Sequence, residues 1–154
     1  MAKIMIEAAI NGNADKALNP NIAYSPEDIA NDAIATCRAG AAAVHFHVRN
    51  PETGEWVQDV SYYSEVFKRT RAQCNPILWP TFPFGADPVE RFAHFLELAK
   101  DPATKPDLGW ADPGSVNLVS YDARTKTLSG GNFVYQNSHD ANRYFLEQSR
   151  ECGV

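Results

Sequence analysis

Along the chain, short apolar runs alternate with longer stretches in which apolar residues recur every three or four positions. Residues 3–10, KIMIEAAI, are mainly apolar and stop at Asn11-Gly12-Asn13, the pattern of a buried strand closed by a turn. Ser25-Pro26-Glu27-Asp28 signals a helix start: serine as cap, proline at the first helical position, and acids facing the positive end of the helix dipole. Ile29, Ala30, Ala33, Ile34 and Cys37 follow at helical spacing until Gly40 closes the segment. Residues 41–48 predict a second strand, residues 62–72 a second helix, CNPILWPT a third strand, and residues 87–100 a third helix with Asp87 as cap and Pro88 at its first position.

After a proline-rich connection at residues 101–113, GSVNLVSYD predicts a fourth buried strand. ARTKTLSGG is polar and turn-like, NFVYQNS is a short extended piece, and a last helix capped by Ser138 or Asp140 runs to about residue 151, with Cys152-Gly153 as its stop. The strand–helix rhythm implies an α/β fold of parallel strands with right-handed crossovers. The loops that follow the strands then gather on one face, where function is to be sought.

Composition adds exclusions. With 154 residues, 44% hydrophobic and 21% charged, the chain suits one domain with a sizeable core. A net charge of −5 without a Lys/Arg cluster argues against a nucleic-acid partner and for a small molecule. The three cysteines, Cys37, Cys74 and Cys152, have no paired spacing and are expected as reduced thiols in a cytoplasmic setting. The apolar start is too short for a leader and is broken by Glu7, and no later segment is apolar for long enough to predict a membrane span.

The chemistry concentrates in the second strand. His45 and His47 stand two residues apart, so on a strand both point to one side near its carboxyl end, while Val44, Phe46 and Val48 face the helices. Such a pair supplies two corners of a zinc tetrahedron without distorting the backbone; the alternatives are hydrogen-bonded core histidines, or one ring that binds a substrate carboxylate directly. Thr81, Ser115 and Asn117 are neutral groups suited to anchoring ligand oxygens, or equally to capping strand ends. Glu7 is either helix-facing and structural or catalytic, and Asn11 is either a donor in the site or a turn residue. Arg49 is expected to neutralise a ligand carboxylate or to pair with an acid such as Asp59, and Trp79, Phe82 and Phe84 to form core or lid packing. Serine hydrolase, Walker and dinucleotide-binding motifs are absent from the sequence.

AAING, the following Asn19-Pro20, and above all YSPEDIANDAIATCRAGAAAVHFHVRNPETGEW resemble the opening of the β-keto acid cleavage enzyme family, a known member of which cleaves 3-keto-5-aminohexanoate. The resemblance continues through GSVNLVSYD and NFVYQNSHDANRYFLEQSRECGV, and so spans nearly the whole chain. It implies a (β/α)8 TIM barrel of which this chain covers about the first four β/α units, with zinc held by His45 and His47. The implied reaction is that of a β-keto acid with acetyl-CoA to give acetoacetate and a new CoA thioester, in a homo-oligomer. It also implies substrate contacts at the ends of strands three and four, near Thr81 and at Ser115.

Two departures bear on this. An acid that some members place after the first strand, to receive a substrate amino group, aligns with Ala14, with Asp15 beside it, so a 3-keto-5-amino acid is not the expected substrate. A (β/α)8 barrel takes about 250 residues. Residues 1–154 are therefore expected to be the N-terminal half of a single barrel domain, cut before the fifth strand, with the family's remaining zinc ligand and its catalytic arginine and aspartate lying beyond Val154. Such a half is expected to have little activity alone and, with strands one and four as open edges, to aggregate or self-associate. The competing readings are a metal-dependent hydrolase of the amidohydrolase kind, whose H-x-H sits on the first rather than the second strand, and a half-barrel that binds a ligand without chemistry.

Overall fold

The computed structural model describes residues 3–154; Met1 and Ala2, the first positions of the segment weighed as a leader, lie outside them. In chain order the elements are β1 (Glu7–Ala9), α1 (Pro26–Arg38), β2 (Ala43–Phe46), α2 (Val60–Arg71), β3 (Ile77–Pro80), α3 (Pro88–Leu98), β4 (Val116–Asn117), β5 (Ser120–Asp122), β6 (Thr127–Ser129), β7 (Val134–Tyr135) and α4 (His139–Cys152). The caps Ser25, Asp87 and Ser138 form as the sequence predicts, and α2 starts two residues earlier than expected, capped by Asp59. The side chains of Ser25, Asp59, Asp87 and Ser138 accept the amides of Asp28, Ser61, Val89 and Ala141 at the starts of α1 to α4, each contributing about 1 kcal/mol.

β1, β2 and β3 form one parallel sheet in that order. Val44, Phe46, Val48 and Leu78 pack against Ile29, Ala30 and Ala33 of α1 and Tyr63, Val66 and Phe67 of α2, which is the main core. The α2 residues recur at three and four, one buried face of a helix. A second core joins Phe82 to Phe92 and Phe95 of α3 and Phe145 of α4. There Gly109 lies so close to the Phe145 ring that a Cβ would stand 2.4 Å from it, which fixes how α4 docks. Among the described residues no helix is long and apolar enough to cross a membrane.

The expected fourth parallel strand does not form. Val116–Asn117 pair antiparallel with β7, Ser120–Asp122 pair antiparallel with β6, and the apolar residues Val116, Leu118, Val119 and Tyr121 are all exposed. The flank of β3 is already engaged, because the Asp107 amide donates to the Leu78 carbonyl and the Asp107 carboxylate accepts the Leu78 amide. A chain coming later meets no free strand edge there. The stretch ARTKTLSGG opens with the expected turn and then becomes a strand: Asp122 accepts the amides of Arg124 and Thr125, Lys126 turns the chain at φ 57°, and β6 follows. Three β/α units, a pair of small antiparallel ladders and α4 thus replace four units. Just before β1, Ile4, Met5 and Ile6 are exposed.

Candidate functional site

Parallel pairing places Ala9 opposite His45 and His45 opposite Trp79, so these side chains share the sheet face turned away from the helices. His47 follows β2 on that same side, its backbone gripped by Asn11. The Asn11 Nδ2 donates to the carbonyls of His47 (2.7 Å) and Ala23 (3.3 Å), while its Oδ1 accepts the His47 amide (2.9 Å). Asn11 thereby extends the pairing of the first two strands by one side chain.

The Nε2 atoms of His45 and His47 converge to 3.1 Å. Two nitrogens of a zinc tetrahedron stand about 3.3 Å apart for bonds of about 2.0–2.1 Å, so the pair fits two corners of such a site. Burial pushes His45 down to about 4, and burial together with the neighbouring His45 and Arg49 pushes His47 down to about 3. Both rings are therefore neutral near pH 7, and at this separation one Nε2–H donates to the lone pair of the other, a bond that a cation held between them would replace. Their Nδ1 atoms are buried without hydrogen-bond partners, and packing orients them instead. The Trp79 indole lies against His45 with centroids 3.9 Å apart, and Trp56 meets His47 edge-on at 4.8 Å. Among the described residues no cluster of three or more His, Cys, Asp or Glu is found at the pair.

Around the histidines lies a cleft of about 250 Å³ that Thr81, Asn13, Trp56, Phe84 and Tyr135 help to line. Thr81 is held over it by its amide on the Phe46 carbonyl (3.0 Å) and by the buried His94, whose Nε2–H donates to the Thr81 carbonyl at 2.9 Å. The structure thus brings Thr81 together with His45 and His47. Ser115 and Asn117 stand outside the lining: the Ser115 hydroxyl accepts the Asn137 amide at 2.9 Å, and Leu118 and Tyr135 of the neighbouring segments are the ones that reach the cleft.

Two further expectations change, and that for the aromatic trio is met in part. Glu7 neither faces the helices nor is buried; it shares the histidine face, and its carboxylate accepts the Trp79 indole N–H at 2.6 Å, bracing the ring that packs on His45. Arg49 does not pair with Asp59, which caps α2. Its guanidinium is buried and donates to the carbonyls of Gly12 (2.5 Å) and Gly54 (2.9 Å), clamping the loops after β1 and β2 together. Gly54 has φ 76°, and a Cβ there would meet the Tyr24 ring at 2.3 Å. Of the aromatic trio, Phe82 is core, Trp79 backs His45, and Phe84 is a half-exposed rim residue.

The sequence reading missed Trp56, Tyr135 and the residue that holds Tyr135. Arg91, buried in the apolar stripe of α3, donates to the Tyr135 hydroxyl (2.6 Å) and to Asn137 Oδ1 (2.8 Å). Burial, then the Asp112 carboxyl, pushes the Tyr135 phenol up to about 12, so it stays protonated. An arginine inside a helical run of phenylalanines is the one signal that pointed there.

A sequence model of the family described as beta-keto acid cleavage enzyme matches residues 3–154. The chain is 28% identical over 152 residues to the 3,5-dioxohexanoate:acetyl-CoA acetone transferase of Paraburkholderia graminis, covering 97% of this chain and 45% of that protein. It is 29% identical over 165 residues to the 3-dehydrocarnitine:acetyl-CoA trimethylamine transferase of Rhizobium meliloti, covering 99% and 53%. It is 27% identical over 155 residues to the 3-keto-5-aminohexanoate cleavage enzyme of Fusobacterium nucleatum subsp. nucleatum, covering 100% and 51%. The chain spans about half the length of the curated relatives it matches.

Proposed function

Because the chain belongs to the beta-keto acid cleavage enzyme family, we propose that it provides the metal and keto-acid subsite for a cleavage of a β-keto acid with acetyl-CoA that yields acetoacetate and a new CoA thioester. The observation that carries this reading is the convergence of two neutral imidazole Nε2 atoms to 3.1 Å on the cleft face of β2. His45 and His47 would hold a zinc ion, which when bound supplies Lewis-acid polarisation of a keto oxygen.

The rest falls to the chain's own residues. Trp79 and Trp56 keep the two rings from turning away, Glu7 fixes Trp79, and Asn11 fixes the backbone of His47. The Thr81 hydroxyl lies at the cleft wall, suited to donate to an oxygen of the keto acid, and Asn13 offers an amide on the opposite loop. The aromatic lining offers apolar faces beside the keto-acid position, where polar contacts are less screened than in open water.

Since the chain is about half as long as its relatives, the test is placed on binding rather than turnover. Acetoacetate titrated into the zinc-loaded chain is expected to bind and to be released by a chelator. Binding that is indifferent to zinc, or no binding with zinc present, would refute the reading.

A further inference from the structure

We propose that the site takes β-keto acids whose far end carries neither a hydrogen-bond donor nor a carboxylate, an aryl, alkyl or trimethylammonium tail, in preference to a primary ammonium. This rests on the function proposed above. With the keto-acid head at His45 and His47, the next surface is a run of rings that begins at the metal pair itself, since Trp56 packs on His47. Phe84 continues it, with its centroid 5.7 Å from Trp56 and 5.2 Å from Tyr135. Trp110, 5.8 Å from Trp79, closes the other flank.

Aromatic faces favour polarisable groups, and favour cations that need no hydrogen-bond acceptor. A primary ammonium brings three N–H donors and loses free energy wherever it is dried without acceptors. The charged groups near this wall stand outside the cleft lining. Asp15, the acid after the first strand, bonds the amides of Ala17 and Leu18 in an exposed turn. Glu7 is bonded to the Trp79 indole, one strand pair before His45. Asp112 sits by the Tyr135 hydroxyl with its buried Oδ2 lacking a hydrogen-bond partner, and Arg91 is bonded to that hydroxyl and to Asn137. None of the four lines the cleft.

The test titrates the zinc-loaded chain with four probes, read by calorimetry and by indole emission: acetoacetate, 3-oxo-5-phenylpentanoate, and two 3-oxo acids of matched length ending in trimethylammonium and in primary ammonium. The aryl and trimethylammonium tails are expected to bind about tenfold tighter than the primary ammonium. Aryl first among them assigns the gain to apolar packing, and trimethylammonium first assigns it to cation–π attraction; either order supports the proposal. In Phe84→Ala, at a half-exposed position outside both cores, the ratio of aryl to primary ammonium affinity falls toward one. Equal or tighter binding of the primary ammonium, or a ratio unmoved in Phe84→Ala, overturns this inference alone. Failure of all four probes, acetoacetate included, overturns the proposed function and this inference together.

Discussion

Asn11 illustrates how a single side chain extends a sheet. By accepting the His47 amide and donating to the His47 carbonyl, it continues the pairing after the last backbone bond, from the Ile10 amide to the His45 carbonyl. Both bonds are buried, so their loss leaves polar groups dry and unmatched. Asn11→Ala is expected to lower the unfolding free energy by about 2 kcal/mol in urea titration and to weaken zinc binding by about tenfold. Unchanged zinc affinity would show that His47 needs no such hold. At this scale the sequence displayed the histidine pair, because a strand period of two puts alternate residues on one side. It did not display what Asn11, Glu7 and Arg49 bond to, because those partners depend on the register of distant segments. Arg49 found two glycine carbonyls in place of the expected acid.

Helix α3 meets β3 through His94, and the junction is sensitive to acid. His94 is buried among Tyr63, Phe82 and the Thr81 carbonyl, and burial pushes it down to about 4. An unfolded histidine titrates near 6.5. Between those values the unfolded chain binds the extra proton, so the neutral ring's contribution is complete above about pH 6.5 and is lost as the pH falls toward 4. From pH 7 to pH 5 the loss from this residue is on the order of 2 kcal/mol. Urea titrations of the parent and of His94→Gln across that range are expected to show a smaller loss in the variant; identical slopes would remove His94 from the account. The four helices were legible because caps and apolar periodicity are local signals. GSVNLVSYD misled because short apolar runs look alike whether they enter a parallel sheet or an exposed ladder. What decided it was Asp107 on the flank of β3, 29 residues from its partner in no local pattern.

For the whole molecule, the first three β/α units set the site where the loops after parallel strands gather, as the alternation of apolar runs and amphipathic stretches implies. The cleft is completed by parts no local pattern reveals, Tyr135 from β7 and Trp110 from the connection after α3. Both are carried to the histidines by α3, through Arg91 and through the aromatic core shared with α4. The proposed chemistry therefore stands on the histidine pair. The most direct measurement is a calorimetric titration of the metal-free chain with zinc, repeated on the His45→Ala/His47→Ala double variant. The account predicts one zinc per chain and at least about a tenfold loss of affinity in the variant. A parent chain that takes up no zinc, or a folded variant that binds it as tightly, would contradict it.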